Sequence, residues 1–591
     1  MRANGSNATV RGGFLAFLAI AAGACSDGTT GVGGDGEPTI RFATPEVALG
    51  IGRVGEVVLR NDGTGAGGPI ELRAGQVQDG AGQPTLIARV DLSVEDVATL
   101  NVGASRTIGI EVVELGTLAP GTYGSNVTAH LDEEVVATTR VSFVVPEPPS
   151  TGATVSVSAP AAVLRQGDVA AFAATVVDSA GEVVPDPVLI WRVVPAGAGF
   201  AATDGRVVGY QPGEIGVVVA HGAAADTAVV EVTARGIDGA FTALGTGPVP
   251  ERFTSDLWVH GSHAYTGSWS TRTVDGVSAN GNTLLAWNIA TPTLPLRTDS
   301  VRLDARVVND VKVASDGALA VAAHEFSADQ RNGVTLLDLA DPAHPDVIAR
   351  FMPTELSPGI HNLWIDGTTL YLVTDGTGPT SGLNVVDISN PADPQLLSHF
   401  YAGSSFLHDV LVRDGLAFLS HWNAGLVILD VGNGVAGGSP AAPVEVSRIQ
   451  LAGQTHNAWY WPEAGYVFVG EEDFATPGIM HVVDVANLHS PVEVATFRVP
   501  GDTPHNFWLD EDAQVLYLAW YSSGLRALDV SGRLLGELEK QGREIAAAEY
   551  GVADLCPGSP SGTCTWAPQL HAGTVWVADM NRGLFSFRLD F

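Results

Sequence analysis

The 591-residue chain is 45% hydrophobic and 16% charged, with 70 Gly, 34 Pro and 3 Cys, which excludes a disordered or collagen-like polymer and a disulfide-dense miniature. At roughly 150 residues per domain its length predicts about three or four folding units. Asp and Glu number 65 against 30 Lys and Arg, a formal charge of −35. Such a field repels phosphate backbones, so no nucleic-acid partner is expected, whereas cations and uncharged ligands stay open.

At the N-terminus, Arg2 and Arg11 accompany an uncharged stretch over 12–24. Its apolar part is too short to span a bilayer as a mature helix, and it reads as a secretory signal. The stretch ends Ala22-Gly23-Ala24-Cys25, which resembles the bacterial lipobox. The resemblance implies a signal peptide over 1–25, lipidation of Cys25 and a membrane partner through that anchor. Residues 26–37 form a Gly/Asp/Thr tether, at most about 40 Å long when extended. Ser26 directly after the lipidated cysteine is compatible, by analogy with lipoprotein sorting, with the outer membrane. The expected location is therefore exported and lipid-anchored to the cell envelope, at the outer membrane or cell surface. Cys556 and Cys564 lie eight apart in a Gly/Pro/Ser loop and can pair as a disulfide without leaving an odd thiol.

Residues 38–147 show short β-branched runs at 54–59, 107–113, 121–131 and 135–145, separated by turn signals such as Asn61-Asp62-Gly63. This predicts an immunoglobulin-like β-sandwich. After a Pro-rich linker, residues 152–235 repeat the style and resemble the bacterial immunoglobulin-like modules that space functional domains from cell surfaces. Gly31-x-Gly33-x-x-Gly36 and Gly63-x-Gly65-x-x-Gly68 match the dinucleotide fingerprint by letter, but neither joins a strand to a helix.

Residues 237–591 carry an internal period. An Asp or Asn opens each unit at 256, 310, 362, 409, 457 and 506, in steps of 54, 52, 47, 48 and 49. Four short strands fit each unit, the signature of a β-propeller blade. The third strand of each unit, such as Gly425-Leu426-Val427-Ile428-Leu429-Asp430 or Val385-Val386-Asp387 before Asn390-Pro391, resembles the LVIVD repeat of bacterial surface proteins. A final partial unit, 574–579 and 583–589, lacks an outer strand, which residues 241–244 can supply. The expected fold is thus all-β, two immunoglobulin-like β-sandwiches followed by a seven-bladed β-propeller closed by both ends of its chain segment. A helical-looking stretch at 538–550, inside an insertion over 536–566, is expected to cover one face.

The position before each Asp or Asn reads Ser255, Asn309, His361, His408, His456 and His505. Four imidazoles around a channel can hold an iron, copper or zinc ion. The alternative is that each His-Asx pair caps and staples a blade, since structural needs recur in every repeat. Glu471, Asp473, His421, Asp375 and His324 are expected to line the same face. Trp258, Trp364, Trp459 and Trp508, three places after the histidine column, are expected to pack blade to blade. The aspartates Asp338, Asp387, Asp430, Asp484 and Asp529 are expected to bond the turn after the third strand. No Gly-x-Ser-x-Gly, His-Glu-x-x-His or phosphate loop is present, and no catalytic residue is assigned. The expected function is binding or scaffolding of a protein or carbohydrate ligand at the cell surface. The alternative is an oxidoreductase-like propeller metalloenzyme with a central histidine-ligated metal.

Overall fold

The computed structural model describes all residues except 1–36, 50–52, 86–87, 93–95, 98, 115–117, 119–120, 132–133, 146–152, 328–330, 379, 402, 404, 474–477 and 551–562. The signal stretch, Cys25, the tether and Cys556 therefore lie outside the described residues. Within them the chain is all-β, with strands and two 3-10 turns and no α-helix. Among the described residues no helix is long and apolar enough to cross a membrane.

In the first module a four-stranded sheet (Ile40–Phe42, Val54–Asn61, Ala88–Leu92, Ser105–Glu114) faces a six-stranded one centred on Gly121–Leu131 and Glu134–Val145. Alternating side chains from both sheets, Leu59 and Ile108 from one and Ile70, Val127, Val141 and Phe143 from the other, fill one core. A second, smaller core around Val207, Ile215, Val217 and Val230 holds the next module together.

The rest of the described chain forms seven sheets in succession, each built on four antiparallel strands, with a two-stranded sheet (Thr271–Val274 and Val277–Asn280) inserted in the first unit. Their first strands are Phe253–His260, Val311–Val313, Ile360–Asp366, Leu407–Arg413, Thr455–Trp461, Phe507–Asp510 and Thr565–His571. Each first strand contacts the next, and the seventh contacts the first, so the series closes on itself. The seventh sheet takes its outer strand from far upstream: Ala240–Pro248 pairs antiparallel with Gly583–Asp590.

The pleat explains why the repeats are apolar without alternation. On Thr369–Thr374, Leu370 and Leu372 pack with Val321 and Leu336 of the preceding sheet, while Tyr371 and Val373 pack with Val410 and Leu419 of the following one. Both faces of every sheet are covered, so successive residues are all buried. Seven such clusters separate neighbouring sheets, and the one holding Leu257, Trp287, Trp576 and Leu584 joins the seventh sheet to the first.

The stretch 538–550 is not helical. Leu538–Lys540 makes one 3-10 turn, and Glu544–Ala548 is the outer strand of the sixth sheet, paired with Gly524–Asp529. Gly536–Glu537 adds a fifth strand to the fifth sheet. These residues complete sheets, so the described part of the insertion is no lid. The helix-favouring Glu, Lys and Ala residues yield to a free strand edge that needs backbone partners.

Candidate functional site

Three layers of side chains line the axis of the closed series, because each first strand presents equivalent positions to it. The first layer is Ser255, Asn309, His361, His408, His456, His505 and, at the matching bulge of the seventh sheet, Trp566, all of them buried. The next is Asp256, Asp310, Asn362, Asp409, Asn457, Asn506 and Ala567. The third contains Trp258, Lys312, Trp364, Leu411, Trp459 and Trp508, with all four tryptophans half-buried.

The middle layer staples neighbouring sheets. The Leu363 N–H donates to Asp310 Oδ2 (2.9 Å) and the Val410 N–H to Asn362 Oδ1 (3.2 Å). Turned to satisfy both its neighbours, the Asn457 amide donates to the His505 carbonyl (3.2 Å) and accepts from the Phe507 N–H (3.3 Å). Lys312, 6% exposed, extends its ammonium between Asp256 and Asp310 and over the Trp258 ring at 5.2 Å. Burial pushes the Asp310 carboxyl well up. Burial also pushes Asp256 up, but Lys312 outweighs it and holds that carboxyl below its ordinary range. Asp409, buried further round the same layer, is raised to about 7 by desolvation.

Below it the tryptophans do more than pack between adjacent sheets. Trp459 meets Trp508 of the next sheet at 4.9 Å, but Trp258 of the first sheet meets Trp364 of the third (5.8 Å) and Trp508 of the sixth (6.0 Å). The rings converge across the axis around a small cavity that Asn362, Asn457 and Asn506 also line.

The histidine layer is brought together. Ring centroids are 4.4 Å apart for His361 and His408, 4.2 Å for His408 and His456, and 4.2 Å for His456 and His505. All four rings are buried. The His408 Nδ1 faces the His456 carbonyl at 3.0 Å and the His505 Nδ1 faces the Trp566 carbonyl at 2.7 Å. With the proton on Nδ1 to meet the carbonyl, each keeps a lone pair on Nε2. His361 and His408 stand Nε2 to Nε2 at 3.0 Å, while neither ring nitrogen of His456 reaches a hydrogen-bond partner. Burial, reinforced by the neighbouring imidazoles, holds His408, His456 and His505 well below the usual histidine range. Neutral imidazole is the form that binds metals. Phe406, Trp422, Tyr521 and Trp566 pack around the arc, with Trp422 stacked on His408 at 4.9 Å.

Of the face residues expected from the sequence, Asp375 joins this cluster, its Oδ1 3.7 Å from His361 Nδ1. Gly359 turns beside it in a positive-φ conformation, and a side chain there would collide with the Asp375 carboxylate. His324, His421 and Glu471 are buried inside their sheets and not on an open mouth. Each ends a second strand and points back among the strands: His324 Nε2 meets Thr335 Oγ1 at 2.7 Å, and Glu471 meets His481 Nε2 at 2.7 Å. Burial lowers His324 and His421 to about 4. Asp473 is half-buried, its N–H bonded to Thr503. The turn aspartates do bond their turns: Asp338, Asp387, Asp430, Asp484 and Asp529 each accept the N–H two residues on. Cys564 is disulfide-bonded.

The residues that approach the histidines most closely sit one place beyond His324 and Glu471. Glu325 Oε1 lies 3.0 Å from His361 Nδ1, and Glu472 Oε2 lies 3.8 Å from His456 Nε2. Burial raises Glu325 to about 8. The pleat supplied the missing signal: when His324 and Glu471 point into the sheet, the next residue points to the axis. Two groups bring one ligand atom per residue within 4.8 Å of one another, His408, His456 and Glu472, and Glu325, His361 and Asp375.

No curated protein matches the chain. The LVIVD repeat matches residues 362–401 and 407–450, which are the third and fourth sheets of the closed series, and this part of the chain is similar to that family.

Proposed function

We propose that the seven sheets are the blades of a seven-bladed β-propeller of LVIVD type, carried on two immunoglobulin-like β-sandwiches. In this reading the ring is a rigid binding or scaffolding body for a protein or glycan partner, exported and held at the cell envelope by a lipid on Cys25. The observation that carries it is the unbroken cycle of inter-sheet cores, the last of which packs the seventh sheet on the first. A body without hinges offers one face built entirely of loops, where recognition concentrates. The second module is fixed to the ring by buried contacts, so it acts as a stiff support.

The test has two arms. Cys25→Ala is expected to abolish incorporation of labelled palmitate and to release the chain from the membrane fraction; unchanged incorporation overturns the anchor. The full exported chain, probed on arrays of envelope proteins and glycans, is expected to select a partner above control; uniform background overturns the binding role.

A second reading, a metalloprotein holding iron, copper or zinc at the histidine column, is favoured by the 4.2–4.4 Å spacing of the four rings.

A further inference from the structure

The four histidines form an arc, and each ring meets its neighbours in sequence. Contact between neighbouring rings does not by itself place four ligand atoms round one ion, so distances between ligand atoms decide which of them can share one. With metal–ligand distances of about 2.1 Å, two ligand atoms lie no more than about 4.2 Å apart. His456 Nε2 and Glu472 Oε2, at 3.8 Å, satisfy this as they stand. His408 adds a third atom within the same 4.8 Å group.

We propose that His408, His456 and Glu472 form a three-ligand site for one divalent transition-metal ion of borderline softness, such as Zn2+, Fe2+ or Cu2+.

The proposal rests on the ring reading, because the ligands come from the fourth and fifth sheets and meet only if those sheets stand side by side round the axis. Two imidazoles and one carboxylate suit such an ion and disfavour Ca2+ or Mg2+, which prefer oxygen throughout. His456 gives the independent sign of a ligand: its ring is 1% exposed, and both nitrogens lack hydrogen-bond partners. Leaving a buried polar atom unpaired is costly, and a metal ion removes the cost on one nitrogen. The His408 ring holds Nδ1 at the His456 carbonyl and Nε2 3.0 Å from His361 Nε2, so coordination through Nε2 exchanges that one imidazole contact for the ion. The Tyr521 hydroxyl donates to Glu472 Oε1 and fixes the carboxylate. A small cavity touching His361, His408, His456 and His505 adjoins the group. His505 and His361 flank the ligands: the first is turned to the Trp566 carbonyl, the second toward Glu325 and Asp375.

Zn2+ titrated calorimetrically into chelator-treated full chain, with Co2+ absorption as a second readout, tests the site. Wild type is expected to bind Zn2+ and to give Co2+ ligand-field bands. His456→Ala and the isosteric Glu472→Gln are expected to weaken that binding at least about 100-fold, and Tyr521→Phe about 10-fold or more. His263→Gln, which alters a buried histidine of the first sheet, is expected to bind as wild type does. No binding by wild type, or wild-type binding by both His456→Ala and Glu472→Gln, overturns the site. Limited proteolysis of the metal-free chain separates this failure from failure of the ring. A resistant core over residues 237–591 with no metal binding sinks the site alone, whereas loss of that core in wild type sinks both.

Discussion

His481 stands between two carboxylates, its Nε2 2.7 Å from Glu471 and its Nδ1 2.7 Å from Glu493. Burial opposes a charge on the ring, but the two hydrogen-bonded carboxylates outweigh it and raise the imidazole to about 9. Glu56 of the first module adds negative charge on the same side. Because the folded value lies above the unfolded one near 6.5, the pair of contacts stabilises the fold fully below that pH. The contribution fades as pH rises toward 9. Wild type is expected to lose on the order of 2 kcal/mol of unfolding free energy between pH 6 and pH 9.5 relative to His481→Gln. Urea titrations of both proteins at the two pH values check this; parallel losses would remove the histidine from the account.

At the scale of the strand, the buried charge of the second layer ties the first strands of the first and second sheets. Lys312 bridges Asp256 from one and Asp310 from the other. Removing one partner of a buried ion pair leaves the remainder unpaired in a low dielectric, which costs about 3–5 kcal/mol. Lys312→Met should therefore lower stability by that order in chemical denaturation, far more than loss of an exposed pair such as Arg588 with Asp590. This layer also marks how far the sequence could be read. The Asx positions and the histidine column were legible because a repeat places equivalent residues on one rim, whatever the loops do. Glu325 and Glu472 were legible as members of the loops on that face but not as the inward-facing ones, since each lies at the end of a second strand and only the pleat decides whether 324 or 325 faces inward. Residues 538–550 misled for a different reason. Local propensity in Leu538-Glu539-Lys540 and Ala546-Ala547-Ala548 favours a helix, and the unpaired edge of Gly524–Asp529 overrode it. The tryptophan column was legible as packing, but its contacts across the axis depend on ring diameter, which no periodicity reports.

At the scale of the molecule, two junctions decide whether the chain behaves as one body. The first joins the second module to the sixth sheet. The Arg235 Nε donates to Asp529 Oδ2 (2.5 Å), its Nη2 to Ser531, and Arg543 donates to the Gly167 carbonyl (2.6 Å). Both guanidinium groups are buried, and the Glu537 N–H donates to the Tyr210 hydroxyl (3.0 Å). Arg235→Ala is expected to leave Asp529 unpaired and to loosen the module, seen as new protease cleavage near 235 and a larger radius of gyration by small-angle scattering.

The second junction is the outer strand of the seventh sheet. Ala240–Pro248 covers the edge of Gly583–Asp590, and Phe241 packs on Phe587 (6.0 Å) and Tyr517 (6.3 Å). Without it the closing sheet keeps three strands and an exposed ladder edge, a template for pairing with other chains. Replacing Ala240–Pro248 with a Gly/Ser segment of equal length is expected to lower Tm and drive concentration-dependent aggregation. Phe241→Ala alone should cost about 1–2 kcal/mol, the burial of part of one aromatic ring. If the segment-replaced chain stays monodisperse in light scattering and melts with wild type, closure resides in the Leu257 and Trp576 core between the seventh and first sheets and not in the borrowed strand.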